Sequence, residues 1–163
     1  MSGQTVANAA IVPVSDDGFV CFAVDDEAQL IVDVVGVVLD GAGFVARTPS
    51  RVVDTRGGSK VGKIDGTGGP LEVQVAPEVS INGKRVVAVS FNLTIVGATV
   101  KNSGGYATVY PCGARPYVSN LNFTKSSTVA GGVVSPVDRN GRVCVYLYGA
   151  ADVLVDVNGL ITS

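Results

Sequence analysis

Two stretches of this chain are copies of one another, and the repeat limits the fold more than any other feature. Thr5–Val38 reads TVANAAIVPVSDDGFVCFAVDDEAQLIVDVVGVV, and Thr128–Ile161 reads TVAGGVVSPVDRNGRVCVYLYGAADVLVDVNGLI. They align without a gap at an offset of 123 residues, with 13 of 34 positions identical. Most other positions exchange one apolar residue for another. The matches include Pro13/Pro136, Gly18/Gly141, Cys21/Cys144, Asp33/Asp156 and Gly36/Gly159. Self-similarity at one fixed offset marks a tandem array. A length of 163 residues then suits one full module, 46–163, preceded by the C-terminal part of another, 1–45. The alternative register makes 5–127 the unit and 128–163 the extra part-repeat. The N-terminus has neither a basic start nor a long apolar core, so it reads as the start of an excised segment or of a mature protein.

The repeat unit is written in strands. Hydrophobic residues make up 47% of the chain and charged residues 16%, which excludes disorder. Val is about a fifth of the chain and 21 residues are Gly, a composition of short strands and tight turns. In Arg85–Val96, Val87, Val89, Phe91, Leu93 and Ile95 alternate with smaller or polar residues, the period of a half-buried strand. Leu71–Val75 and Val153–Val157 alternate likewise. Further strands are expected near 9–14, 19–24, 28–35, 50–54, 105–110, 117–123, 132–137 and 142–148. Turn signals separate them: Asp16-Asp17-Gly18, Asn82-Gly83, Ser103-Gly104-Gly105 and Arg139-Asn140-Gly141. Arg56–Gly69 reads as a long, partly mobile loop. No window of a dozen residues has helical periodicity. The predicted class is all-β, an antiparallel sandwich or barrel-like module of many short strands. Gly105–Phe123 echoes Gly141–Gly159, which raises an internal pseudo-symmetry.

Several chemistries drop out at this level. There is no His, which removes His-based triads, general bases and metal sites. No nucleophile–base pair is visible, so an enzyme is the weakest reading, and no cofactor is implied. A net charge of -2 with scattered basic residues argues against nucleic acid. Apolar runs such as Val34–Leu39 are far short of a membrane span. Gly57–Lys63 has P-loop spacing, but Ile64 stands where Ser or Thr would ligate Mg²⁺ and a Gly-rich turn follows. Asp16-Asp17 and Asp25-Asp26-Glu27 are matched in the second copy by Arg139-Asn140 and Tyr148-Gly149-Ala150. Turn formation therefore explains them better than Ca²⁺, and no metal site is assigned. Asn92 and Asn122 fall in glycosylation sequons that carry no weight here. Asp33 and Asp156 each sit within Val-Asp-Val. They read as structural buried acids needing a partner such as Arg51, Arg56 or backbone N–H groups.

PSRVVDTRGG (49–58), VVAVSFNLTIVGA (86–98), GGYATVYPCG (104–113), RPYVSNLNF (115–123), TVAGGVV (128–134) and GRVCVYLYGAADVLVDVNGLI (141–161) together resemble a module repeated in tandem in secreted and cell-surface proteins, chiefly of actinobacteria. The resemblance implies an extracellular location, neighbouring repeats or other copies of the chain as partners, and no catalytic residue. Three functions follow as expectations: a non-enzymatic spacer or adhesive unit, a carbohydrate-binding accessory domain of an extracellular hydrolase, and a fibre subunit assembling by strand complementation. For a polysaccharide, Tyr110, Arg115, Tyr117, Tyr146 and Tyr148 are the candidate contacts, against the plainer reading that these rings fill a sheet edge. The cysteines follow the repeat. Cys21 and Cys144 are equivalent and Cys112 occurs once. In an oxidising compartment Cys112–Cys144 is the preferred disulfide, leaving Cys21 free, and Cys21–Cys112 is the rival.

Overall fold

The structure, a computed structural model, describes residues 8–32, 34, 37–39, 41, 43–101 and 104–163. After residue 43 the alternating segments become nine strands: β1 (Phe44–Asp54), β2 (Val61–Lys63), β3 (Leu71–Gln74), β4 (Ser80–Ile81), β5 (Lys84–Thr99), β6 (Gly105–Pro111), β7 (Leu121–Phe123), β8 (Val129–Pro136) and β9 (Arg142–Thr162). All pair antiparallel within one sheet, and the described residues contain no helix.

β9 organises the sheet because it is paired along both edges. On one edge it meets β3 at Arg142–Val145, β2 at Tyr148–Ala151 and β1 at Leu154–Ile161. On the other it meets β6 at Val143–Tyr148 and β5 at Ala150–Thr162. A strand buried on both faces reads as a nearly continuous apolar run, as Val143–Leu147 does, while Val153, Val155 and Val157 alternate with an outer face that carries Asp152 and Asp156. Val143, Val145, Leu147, Val153 and Val155 point into the core beside Val89, Phe91, Leu93 and Ile95 of β5. The opposite face carries Cys144, Tyr146 and Tyr148 and then Asp156. β5 pairs through its far edge with β8, and β6 with β7. β8 touches β6 and β7 without pairing to them, so the sheet curls over its core and does not close into a barrel.

Four features differ from the sequence reading. A bulge between Val86 and Ala88 shifts the phase of β5, so Val86 is buried and Val87 exposed. The stretch 142–148 is not a separate strand; it continues through Gly149 to Thr162 as part of β9. The segment 56–69, expected to be a long loop throughout, contains the short strand β2. Gly105–Phe123 doubles back as β6 and β7, while its echo at Gly141–Gly159 runs as a single strand, so the two do not form equivalent units.

The largest difference lies before residue 43. None of the described residues in 8–41 forms a strand, although three strands were expected there. The same pattern that makes β8 and β9 lies in water: Ile31 is 86% exposed against 5% for its equivalent Leu154, and Phe22 is 59% exposed against 0% for Val145. The reason is topological. Strand propensity is realised only against partner strands, and the edges of β1, β3, β5 and β6 that suit this sequence are occupied by β9. Each such side chain left in water forgoes about 1.5–3 kcal/mol relative to full burial.

Candidate functional site

The outer face of β6 and β9 gathers the aromatic residues because side chains alternate along paired strands. Tyr106 pairs with Tyr148, Thr108 with Tyr146 and Tyr110 with Cys144. Tyr106 and Tyr148 stack with ring centroids 5.5 Å apart and an interplanar angle of 10°. Tyr106 also meets Tyr146 at 6.2 Å, tilted by 52°. The Cys112–Cys144 disulfide lies in the same cluster, with a Cα–Cα distance of 4.9 Å, and Cys21 is free and exposed. The bond closes the segment between β6 and β9 and anchors the loop that carries Arg115 and Tyr117.

The five expected contact residues separate into two layers. Tyr110 and Tyr146 are buried, and burial pushes the Tyr110 hydroxyl above its ordinary pKa. Tyr146 donates its hydroxyl to the Gly66 carbonyl at 2.8 Å. Arg115 lies over Tyr146, its guanidinium carbon 3.7 Å from the ring centroid, a close cation–π contact. Tyr117 is exposed, 5.9 Å from the same guanidinium. Tyr110 and Tyr146 are therefore a floor and not a contact surface. Tyr148 remains reachable and is joined by Tyr106, which had not been singled out. Its position opposite Tyr148 depends on the β6–β9 register, which residue type alone does not reveal. Gly66 closes one side: its φ is +77°, and an added Cβ would lie 2.6 Å from the Tyr148 ring and 2.9 Å from the Tyr146 hydroxyl. Beyond the Tyr106–Tyr148 stack is a shallow open hollow of about 600 Å³, also lined by Asn122 and Thr124.

A second cluster, on the outer face of β1 and the C-terminal half of β9, is structural. Arg51 donates to Asp156 through Nε at 2.8 Å and Nη2 at 3.0 Å. Arg51 was one of the partners anticipated for Asp156. The acid is only partly buried, at 22% side-chain exposure, which corrects the expectation of a buried carboxylate. Asp33 lies outside the described residues. Asp54 accepts from the Arg56 backbone N–H at 3.0 Å and from its guanidinium at 2.6 Å, which holds Asp54 down at about 2. Between them, Thr55 Oγ1 accepts from the Val153 N–H at 2.9 Å. Asp54-Thr55-Arg56 thus pins the end of β1 to β9. Among the described residues no group of three or more potential ligands could hold a metal ion. No described helix is long and apolar enough to cross a membrane. No family model matches the chain, and comparison with curated proteins and with solved structures finds no match.

Proposed function

We propose that residues 44–163 are a non-enzymatic module of an extracellular tandem array, serving as a spacer or adhesive unit on a secreted or surface protein. The observation that carries this reading is the Cys112–Cys144 disulfide, joining the loop after β6 to the central strand. Structural disulfides of this kind persist in oxidising compartments. The 123-residue repeat supports the array, and the absence of His, with no nucleophile–base pair, supports a non-catalytic role. Labelling intact producing cells with a membrane-impermeant reagent tests the location. The module should be labelled from outside and yield a Cys112–Cys144 peptide on non-reducing mapping. Protein found only inside, with all three thiols reduced, would refute the proposal.

A second reading, polysaccharide contact, is favoured by the Tyr106–Tyr148 stack at the rim of the hollow with Asn122 and Thr124 beside it. Sugar rings bind by presenting C–H faces to aromatic rings while their hydroxyls take nearby polar groups. In a polysaccharide pull-down, Tyr106→Ala should lose binding while the chain stays folded, its thermal midpoint lowered only by the lost ring contacts. Absence of retention on a panel of bacterial and plant polysaccharides would remove this reading.

A further inference from the structure

The sheet has one central place and the chain carries two sequences written for it. We infer that residues 8–39 are an alternative to the β8–turn–β9 segment for the module body 44–127, able to replace 128–163 on their own chain, with the Cys112 disulfide deciding which copy is held.

Four observations carry this. First, the core-facing side chains of β9, Val143, Val145, Leu147, Val153, Val155 and Val157, correspond to Val20, Phe22, Val24, Leu30, Val32 and Val34, apolar at every position. Second, the N-terminal copy already makes the turn of the C-terminal one. Ser15 N–H donates to Phe19 O at 3.0 Å, as Asp138 N–H does to Arg142 O at 2.9 Å. Gly18 N–H donates to Ser15 O at 2.9 Å, as Gly141 N–H does to Asp138 O at 3.1 Å. Phe19 N–H donates to Ser15 Oγ at 3.0 Å, as Arg142 N–H does to Asp138 Oδ1 at 2.9 Å. Gly18 and Gly141 have φ of +84° and +74°. Third, the segment starts beside the strand it would replace, with Asn8 Oδ1 accepting from the Gly132 N–H of β8 at 3.0 Å.

Fourth, the connection to β1 fits. Phe44 pairs with Ile161 in the sheet, and the equivalent of Ile161 is Val38. Val38 and Phe44 are separated by residues 39–43, a five-residue loop of the length that closes β-hairpins. Gly41 and Gly43 in it already have φ of +79° and +80°. The N-terminal copy can therefore reach the place as a local hairpin with β1.

The C-terminal copy holds the place at rest for a visible reason. Asp26 stands where β9 has Gly149, whose φ is +125° and whose Cβ position would crowd Phe123 at 3.0 Å. Exchange needs no external oxidant. The Cys21 thiolate attacks Cys112 Sγ, the Cys21–Cys112 bond forms as the Cys112–Cys144 bond breaks, and Cys144 leaves as a thiolate that takes up a proton. The exchanged form has Ala23 and Asp25 in place of Tyr146 and Tyr148, so the Tyr106–Tyr148 stack exists in only one of the two forms. Nothing in the exchange depends on sugar binding or on surface location, so either can fail without the other.

The test is the full-length Cys144→Ser chain, oxidised under native conditions and mapped without reduction. A Cys21–Cys112 peptide in the monomer is expected, with hydrogen-exchange protection moving from 142–162 to 19–39. Free Cys21 and Cys112, or a bond formed only between chains, overturns the proposal. Should that variant not fold, Asp26→Gly with all cysteines retained is the second arm. In glutathione buffer it should raise the Cys21–Cys112 fraction of the monomer severalfold over wild type, and no rise overturns the proposal.

Discussion

At the scale of single residues, the side chains of β9 that point away from the core make opposite contributions. Asp156 is matched to Arg51 in a two-pronged bond, the stronger geometry for such a pair. Both groups retain solvent, so Asp156→Ala should cost only about 1–2 kcal/mol. An unchanged urea midpoint would show that the pair contributes nothing. Two positions on, the Asn158 Oδ1 is buried with no hydrogen-bond partner among the described residues. The other copy has Val35 there. Asn158→Val should stabilise the fold by about 1 kcal/mol, since a buried acceptor without a donor is unfavourable. A lowered midpoint would mean that the amide is satisfied in solution. Asp54, held at about 2 by Arg56, and Asp138, where the backbone N–H groups of Arg142 and Asn140 and the Arg142 guanidinium outweigh burial, contribute to the acid response. Their folded values lie below the unfolded ones. Their contribution is therefore full above about pH 4 and is lost as pH falls toward 2. Stability measured down that range should drop, and drop less in Asp54→Asn.

At the scale of elements, the legible features were those fixed by local chemistry. Asn82-Gly83 and Asp138–Gly141 turn the chain where their composition says, and the alternation in 89–95 and 153–157 gives the buried faces. For Cys112 the sequence left Cys144 preferred and Cys21 as the rival, and the structure joins it to Cys144. Less legible were features set by pairing. The bulge at Val86 moves Val87 outward, and β2 forms from Gly62 because its missing side chain lets it lie against Gly149 and Leu147. The Tyr106–Tyr148 stack needs the β6–β9 register, so half of the candidate site could not be read from residue types. The disulfide ties two of these elements across 32 residues. Cys112→Ser should lower stability by about 3.5–4 kcal/mol by the loop-entropy relation. A loss under about 1 kcal/mol would mean that β6 and β9 hold the loop closed without the bond.

At the scale of the whole molecule, the repeat predicted like structures for like sequences, and the structure gives one copy the centre of a sheet and the other none. A strand is defined by its neighbours, and a single set of β1, β3, β5 and β6 edges admits one occupant. This occupancy is the central claim, and hydrogen exchange of the oxidised wild-type chain tests it most directly. Amides of 142–162, paired on both edges, should be the slowest in the molecule, exchanging only on global unfolding, while those of 19–32 exchange within the dead time. Slow exchange in 19–32 with fast exchange in 142–162 would contradict the account, because the other copy would then hold the centre of the sheet.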